Sequence, residues 1–182
     1  VAWMKANPGD AKFVNQNAAA QVSGLLLQQL TDTKLTFIPY RGAGPAMTDL
    51  VSGQVDLLVV QGAVALPQVR GGTIKAIANL SPQRSASMPD IPTSDETGVP
   101  GLYMSGWFGF WAPKGTPKEI VATLNKAMTQ VLADPAVKAK FSELGLDVAS
   151  REQQTAEGLA EFHKAEIEKW WPLIRAAGVK AE

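Results

Sequence analysis

The stretch from Leu35 to Val60, LTFIPYRGAGPAMTDLVSGQVDLLVV, limits what this chain can fold into more than any other. It opens with an apolar, β-favouring run, Leu35-Thr36-Phe37-Ile38, and breaks at Pro39-Tyr40-Arg41-Gly42-Ala43-Gly44. Helical spacing follows through Ala46, Met47, Leu50 and Val51, and a second apolar run extends from Val55 to Val60. The order predicts strand, tight turn, helix, strand. Gly42 and Gly44 permit positive φ and close approach of a ligand to the backbone, and Pro45 suits the first helical position because its missing N–H would be unpaired there. First-turn N–H groups lack intrahelical acceptors and carry the positive end of the helix dipole. The turn therefore reads as half of an anion clamp for a carboxylate or phosphate.

Strand and helix patterns alternate on either side. Val1 to Ala6 reads as the last turns of a helix stopped at Asn7-Pro8-Gly9, and Lys12-Phe13-Val14 as a short strand. Asn15-Gln16-Asn17 is a polar turn into a helix from about Ala18 to Leu30, with Val22, Leu25, Leu26, Gln29 and Leu30 inward, so Asn17 and Ala18 mark a second turn-to-helix junction. A helix near Ala63 to Arg70 ends at Gly71-Gly72, and Ile74 to Leu80 reads as a strand. Residues 81–100 carry prolines at 82, 89, 92 and 100 and form a surface connection with one short helix, which Thr93 and Glu96 would cap. The aromatic run Tyr103 to Trp111 is strand-like and glycine-punctuated, fitting a crossing between lobes beside a cleft. Thr116-Pro117-Lys118-Glu119 should cap a helix to about Ala133 with Ile120, Val121, Leu124, Met128, Val131 and Leu132 inward. Asp134-Pro135 starts another helix, ended by Gly145. Asp147-Val148-Ala149 is a short strand, and a last helix from about Thr155 should kink at Pro172.

Composition removes several functions. With 17 basic and 17 acidic residues in 182, no overall field draws the chain to nucleic acid or an anionic membrane. The 46% apolar content is ordinary globular material, enough for one domain or two small ones. No cysteine is present, which excludes disulfides and thiolate metal sites, and no apolar run could span a bilayer. His163 is the only histidine and supports neither a metal site nor a catalytic triad; no cofactor is implied. An α/β enzyme is an alternative reading, because Gly42-Ala43-Gly44 follows a strand. A dinucleotide loop would need a third glycine where Met47 stands, and no Walker lysine or nucleophile elbow occurs. An effector-sensing domain of a transcriptional regulator is another, but it requires a helix-turn-helix outside this chain. Asp56 reads as a turn partner and Asp49 as helix surface.

A series of short motifs in fixed order carries a resemblance. They are Ile38-Pro39-Tyr40-Arg41-Gly42-Ala43-Gly44-Pro45-Ala46, Gly53-Gln54-Val55-Asp56, Ala65-Leu66-Pro67 with Gly71, Pro89-Asp90-Ile91-Pro92-Thr93, Gly98-Val99-Pro100-Gly101, Trp107-Phe108-Gly109-Phe110-Trp111-Ala112-Pro113-Lys114-Gly115-Thr116-Pro117, and Lys169-Trp170 with Gly178. Over essentially its whole length the chain resembles the substrate-binding proteins of tripartite tricarboxylate transporters, the Bug family.

That resemblance implies a two-lobed, type II periplasmic binding fold of the α/β class with a small carboxylate held between the lobes. Residues 1–104 would be the second lobe, nearly complete, and residues 105–182 the C-terminal portion of the first. The first lobe's opening strands, and a front segment with a signal peptide and a glycine-rich ligand loop, would lie outside this chain. The turn Tyr40, Arg41, Gly42, Ala43, Gly44 would offer backbone amides to a ligand carboxylate. Asn17 and Ala18 stand where the family has a Ser/Gly/Thr-rich loop, here shortened. Gln61, after the Val55–Val60 run, and Ser105-Gly106-Trp107 at the crossing are further candidates for the cleft. The expected partners are a small carboxylate ligand and membrane transporter subunits, with no nucleic acid, and the expected location is the periplasm.

Overall fold

Phe13 and Val14 are adjacent in sequence and both are fully buried, which fixes the place of their strand. Side chains alternate across a strand, so two consecutive buried residues mean cover on both faces. A computed structural model provides the structure and describes residues 1–104 and 106–176. A short helix α1 (Ala2–Ala6) precedes β1 (Lys12–Asn15). Helix α2 (Ala18–Thr31) returns the chain to β2 (Thr36–Pro39), which pairs parallel with β1 in the register Phe13 with Phe37 and Val14 with Ile38. Helix α3 (Ala43–Val51) then crosses back, and Leu57 forms a parallel bridge with Phe13 on the other edge of β1. The spatial order is thus β2, β1, Leu57 segment.

Each face of β1 has its own core. Phe13 packs with Met4, Ala11 and Leu35, joined by Leu27, Phe37 and Leu57. Val14 packs with Ala46 and Val55, joined by Ile38, Tyr40 and Leu50. One helix lies over each face, α2 on the Phe13 side and α3 on the Val14 side. The inward stripe of α2 differs from the sequence expectation: Ala20, Val22, Ser23, Gly24 and Thr31 are buried, while Gln29 and Leu30 are exposed. Small residues win that face because the helix rests directly on aromatic rings. A Cβ on Gly24 would meet Cε1 of Phe37 at 2.6 Å and Cε1 of Phe13 at 2.9 Å, where the two rings meet edge to face.

Beyond Leu57 the chain departs further from expectation. The Val55–Val60 run keeps contact with β1 through Val14 N–H to the Leu57 carbonyl (2.9 Å) and Leu57 N–H to that of Lys12 (3.1 Å). It does not continue as a strand, because the Val59 carbonyl accepts from the Gln16 side chain (3.1 Å) rather than from the β1 backbone. Helix α4 (Gly62–Arg70) follows, with Pro67 inside it. Ile74 to Leu80 is not a strand either; Asn79 makes one parallel bridge to Thr93, and Pro92 beside it has no N–H with which to extend the ladder. No helix forms between residues 81 and 100. Thr93 and Glu96 do exchange capping bonds, Thr93 N–H to Oε2 at 2.7 Å and Glu96 N–H to Oγ1 at 3.2 Å, but around a single turn.

Residues 103–104 and 106–111 form no strand, and neither do residues 147–149. Helices α5 (Lys118–Ala133), α6 (Pro135–Glu143) and α7 (Ala156–Ala176) complete the described chain. Asp134 caps α6 as expected, its Oδ1 accepting from Ala136 N–H at 2.7 Å. Thr116 does not cap α5; its hydroxyl donates to the Pro113 carbonyl, and Pro117 takes the N-cap position. The inward face expected of α5 is uncovered, with Ile120, Leu124 and Val131 exposed. Helix α7 runs through Pro172. Ser105 and Gly178, named in the motifs above, fall outside the described residues.

Two measurements probe this framework. Gly24→Val should lower the unfolding free energy in a urea titration by about 1–3 kcal/mol through overpacking against Phe13 and Phe37. Arg84 grips Glu96 with paired bonds, Nε to Oε2 and Nη2 to Oε1, each 2.9 Å, and this grip, helped by the Thr93 N–H, pulls Glu96 down from its ordinary 4.5 to about 2. Because the folded value is depressed, the stabilisation is complete above pH 4.5 and is lost as pH falls toward 2. In an NMR carboxyl titration, Arg84→Ala should return Glu96 most of the way to its ordinary value.

Candidate functional site

Parallel strands send their connections to the same edge, so β1, β2 and the Leu57 segment all deliver their following helices to one end of the sheet. Ligands of open α/β sheets collect at that end. Two hydrogen bonds and one close approach hold the connections together there. Tyr40 N–H donates to the Asn15 carbonyl (2.9 Å), linking the turn before α3 to the turn before α2. Gln16 Nε2 donates to the Val59 carbonyl, linking the latter to the approach to α4. Gly106 closes on Gln61, whose Nε2 lies 3.4 Å from where a Gly106 Cβ would stand.

The helix starts differ in detail from expectation. Asn17 is the N-cap of α2, its Oδ1 accepting from Ala20 N–H at 2.8 Å, and Ala18 is the first helical residue. Among the described residues the N–H groups of Ala18 and Ala19 have no acceptor. Helix α3 begins at Ala43, two residues before Pro45, so Gly44 belongs to the first turn and Pro45 is its third residue. Only Gly42, at φ 98°, needs the left-handed freedom of glycine. The amides of Arg41, Gly42, Ala43 and Gly44 have no acceptor among the described residues. Gln61 is the exposed N-cap of α4, and the Gly62 and Ala63 amides behind it are likewise unpaired.

Tyr40 stands apart from its neighbours. Its N–H is consumed by Asn15, and its hydroxyl donates to Asp49 Oδ2 at 2.6 Å, which holds the phenol above its ordinary pKa. It acts as a strut that ties β2 to α3, and Asp49 is its partner rather than plain helix surface. Arg41 is exposed and makes no ion pair among the described residues. Trp107 turns to α7, with ring centroids 5.2 Å from Phe162 and 5.8 Å from His163. Asp56 does serve as a turn partner, accepting from Lys12 N–H at 2.8 Å.

The electrostatics of this edge come from what its helices share. Helices α2, α3 and α4 carry no acidic residue in their first turns, whereas α5 has Glu119 and α7 has Glu157 there. Carboxylates usually stabilise helix starts, so three starts without one leave their dipoles and donors available to an external anion. Sequence reading missed Gln16, which joins two of the connections and keeps its Oε1 buried without a partner. Its place between Asn15 and Asn17 was visible, its reach to Val59 was not. A groove of about 460 Å³ lies to one side between α3 and α4, lined by Gly44, Met47, Thr48, Val51, Val64 and Gln68. Among the described residues no cluster of three or more acidic or histidine side chains could hold a metal, and no helix is long and apolar enough to cross a membrane.

The profile of the tripartite tricarboxylate transporter family receptors matches residues 1–179. The chain belongs to this family. It is 34% identical to the Protein BugT of Bordetella pertussis over 183 aligned residues, which cover 99% of this chain and 55% of BugT. Among solved structures it is similar to Rhodopseudomonas palustris Rpa4515 with adipate, at a TM-score of 0.83 and 27% identity, over 97% of this chain and 59% of that one. It is also similar to MatC from the same organism with bound malate, at a TM-score of 0.80 and 33% identity, over 95% of this chain and 60% of that one. The chain thus spans a little over half the length of these relatives. Its α/β architecture is that of the periplasmic binding proteins of this family, and the family is one of receptors, not of enzymes.

Gly42→Ala places a side chain at a left-handed position with open space around it. The cost is then purely one of backbone strain at φ 98° and ψ 175°, about 1–3 kcal/mol by urea unfolding, with unchanged far-UV circular dichroism.

Proposed function

We propose that this chain is the larger part of an extracytoplasmic, periplasmic solute receptor that captures a small organic acid, a dicarboxylate or relative, for a tripartite tricarboxylate-type transporter. The observation that carries the reading is the convergence of three acid-free helix starts on one edge of a parallel sheet, where the amides of Ala18, Ala19, Gly42, Ala43, Gly44, Gly62 and Ala63 have no acceptor among the described residues. The relatives solved with adipate and malate agree in ligand chemistry. Gly42, Ala43 and Gly44 hold one carboxylate through their N–H groups and the dipole of α3. Arg41 adds an exposed positive charge, and Asn17, Ala18 and Gln61 border the same space from α2 and α4. Tyr40 serves by holding the turn rather than by donating.

In this reading residues 1–104 form the ligand-holding second lobe, and residues 105–182 are the C-terminal portion of the first lobe, which supplies contacts to the far end of the acid. Lobe closure buries the ligand and presents a surface to the membrane subunits of the transporter. No chemical step follows capture.

Ala43→Pro tests the amide assignment without disturbing the helix. Ala43 is the first residue of α3, a position proline favours, so the substitution deletes one N–H donor and leaves the fold intact. A thermal-shift and calorimetric screen of C4 to C6 dicarboxylates should find one or more stabilising acids. Ala43→Pro should weaken them by about 1.5–3 kcal/mol, the worth of a hydrogen bond to a charged group, at unchanged melting temperature without ligand. Undiminished affinity would remove Ala43 from the site, and the absence of any stabilising carboxylate would remove the proposed capture function from this chain.

A further inference from the structure

The side of α3 turned away from the core carries Gly44, Thr48 and Val51, spaced as one stripe of a helix, and Met47 lies buried beside them. Across from that stripe, α4 presents Val64 and Gln68, four residues apart. Together they line the groove of about 460 Å³, a volume in the range of sites for small ligands. Both helices start at the amide edge, so one end of the groove opens there. Gly44 belongs to both, giving its N–H to the turn and its backbone to the lining.

The chemistry changes along this continuous surface. At the mouth lie the amides of Ala43 and Gly44 from α3 and of Gly62 and Ala63 from α4, without acceptors among the described residues. Beyond the mouth the lining carries no charged side chain. Val51 is 44% and Val64 38% exposed, two apolar side chains left in solvent on opposite walls of one groove. Its polar groups are largely engaged within the protein. The Thr48 hydroxyl donates to the Gly44 carbonyl at 3.3 Å, and Gln68 Oε1 accepts from the Thr73 hydroxyl at 2.6 Å. The remaining donor, Gln68 Nε2, is neutral and offers a second carboxylate no countercharge. Such a lining rewards hydrocarbon and penalises a second buried charge.

Length sets the size of the occupant. From Gly44 to Val51 the helix advances seven residues, about 10 Å at 1.5 Å each. An extended covalent chain advances about 3.6 Å in three bonds, so about eight bonds span the groove.

We propose that the groove between α3 and α4 holds the hydrocarbon chain of an unbranched monocarboxylic acid of about eight carbons. Its carboxylate sits on the amides of Ala43 and Gly44, and its chain lies on Met47, Val51 and Val64. The inference rests on carboxylate capture at the amide turn and narrows the acid to one with an apolar body.

Butyrate and octanoate share a head group and test the groove separately from the turn. Calorimetry on this chain should give octanoate an affinity roughly tenfold or more above that of butyrate, because each half-buried methylene contributes about twofold. In methyl-labelled NMR spectra octanoate should shift Met47, Val51 and Val64, and butyrate should leave Val51 in place. Val51→Asn with Val64→Asn adds polarity without charge and should cut the octanoate-to-butyrate ratio to about threefold or less. Ile77→Asn, at a residue 59% exposed outside the groove, should leave that ratio unchanged. Octanoate binding with no advantage over butyrate overturns the proposal. So do shifts at Phe108 and Trp111 in place of the groove methyls, or octanoate binding that Ala43→Pro leaves undiminished. If a C4 to C6 dicarboxylate binds and octanoate does not, the groove assignment falls and carboxylate capture stands; if no acid binds, both fall.

Discussion

Everything in residues 1–70 depends on β1 being buried from both sides. Because Phe13 and Val14 each need a layer of side chains, the chain must place α2 over one face and α3 over the other, with β2 and the Leu57 segment on opposite edges. That arrangement in turn carries three helix starts to the same end of the sheet. The amide edge is a by-product of how a doubly covered parallel strand must be connected, refined by which residues stand at the connections: asparagine as a cap, glycine at one left-handed position, and no carboxylate in any first turn.

The chain from Val1 to Arg70 was largely legible in sequence because its signals are local. Asn17 before three alanines, Gly42 after a β-favouring run and Gly71-Gly72 after Arg70 mark boundaries within a residue or two of those observed. The misreadings have physical causes. Pro45 marks a helix start, but proline is tolerated through the whole first turn, so it could not say that the helix begins at Ala43. The face of α2 was assigned by hydrophobicity, yet the two phenylalanine rings beside Gly24 leave no room there for a side chain.

The strands expected at 74–80 and 147–149 failed for a different reason, and the strand-like run of residues 106–111 found no pairing for the same one. A strand is a property of a pair, and apolar alternation can show only that a segment is suited to pairing, not that its partner is at hand. The α5 stripe was read correctly as a pattern, while its burial depends on material outside the helix. In the site, the amide turn was legible because glycine, proline and the following helix lie in one stretch. The engagement of Tyr40 with Asn15 and Asp49, and the reach of Gln16 to Val59, join distant parts of the chain and left no mark in local spacing.

The donors of the amide edge are backbone N–H groups, and these do not titrate in the physiological range. A binding surface built this way has no proton of its own to gain or lose. Its preference between the free acid and its anion is set by the solute's own ionisation. Such a receptor would read the protonation state of what it captures and would stay indifferent, at this edge, to acidification of the medium around it.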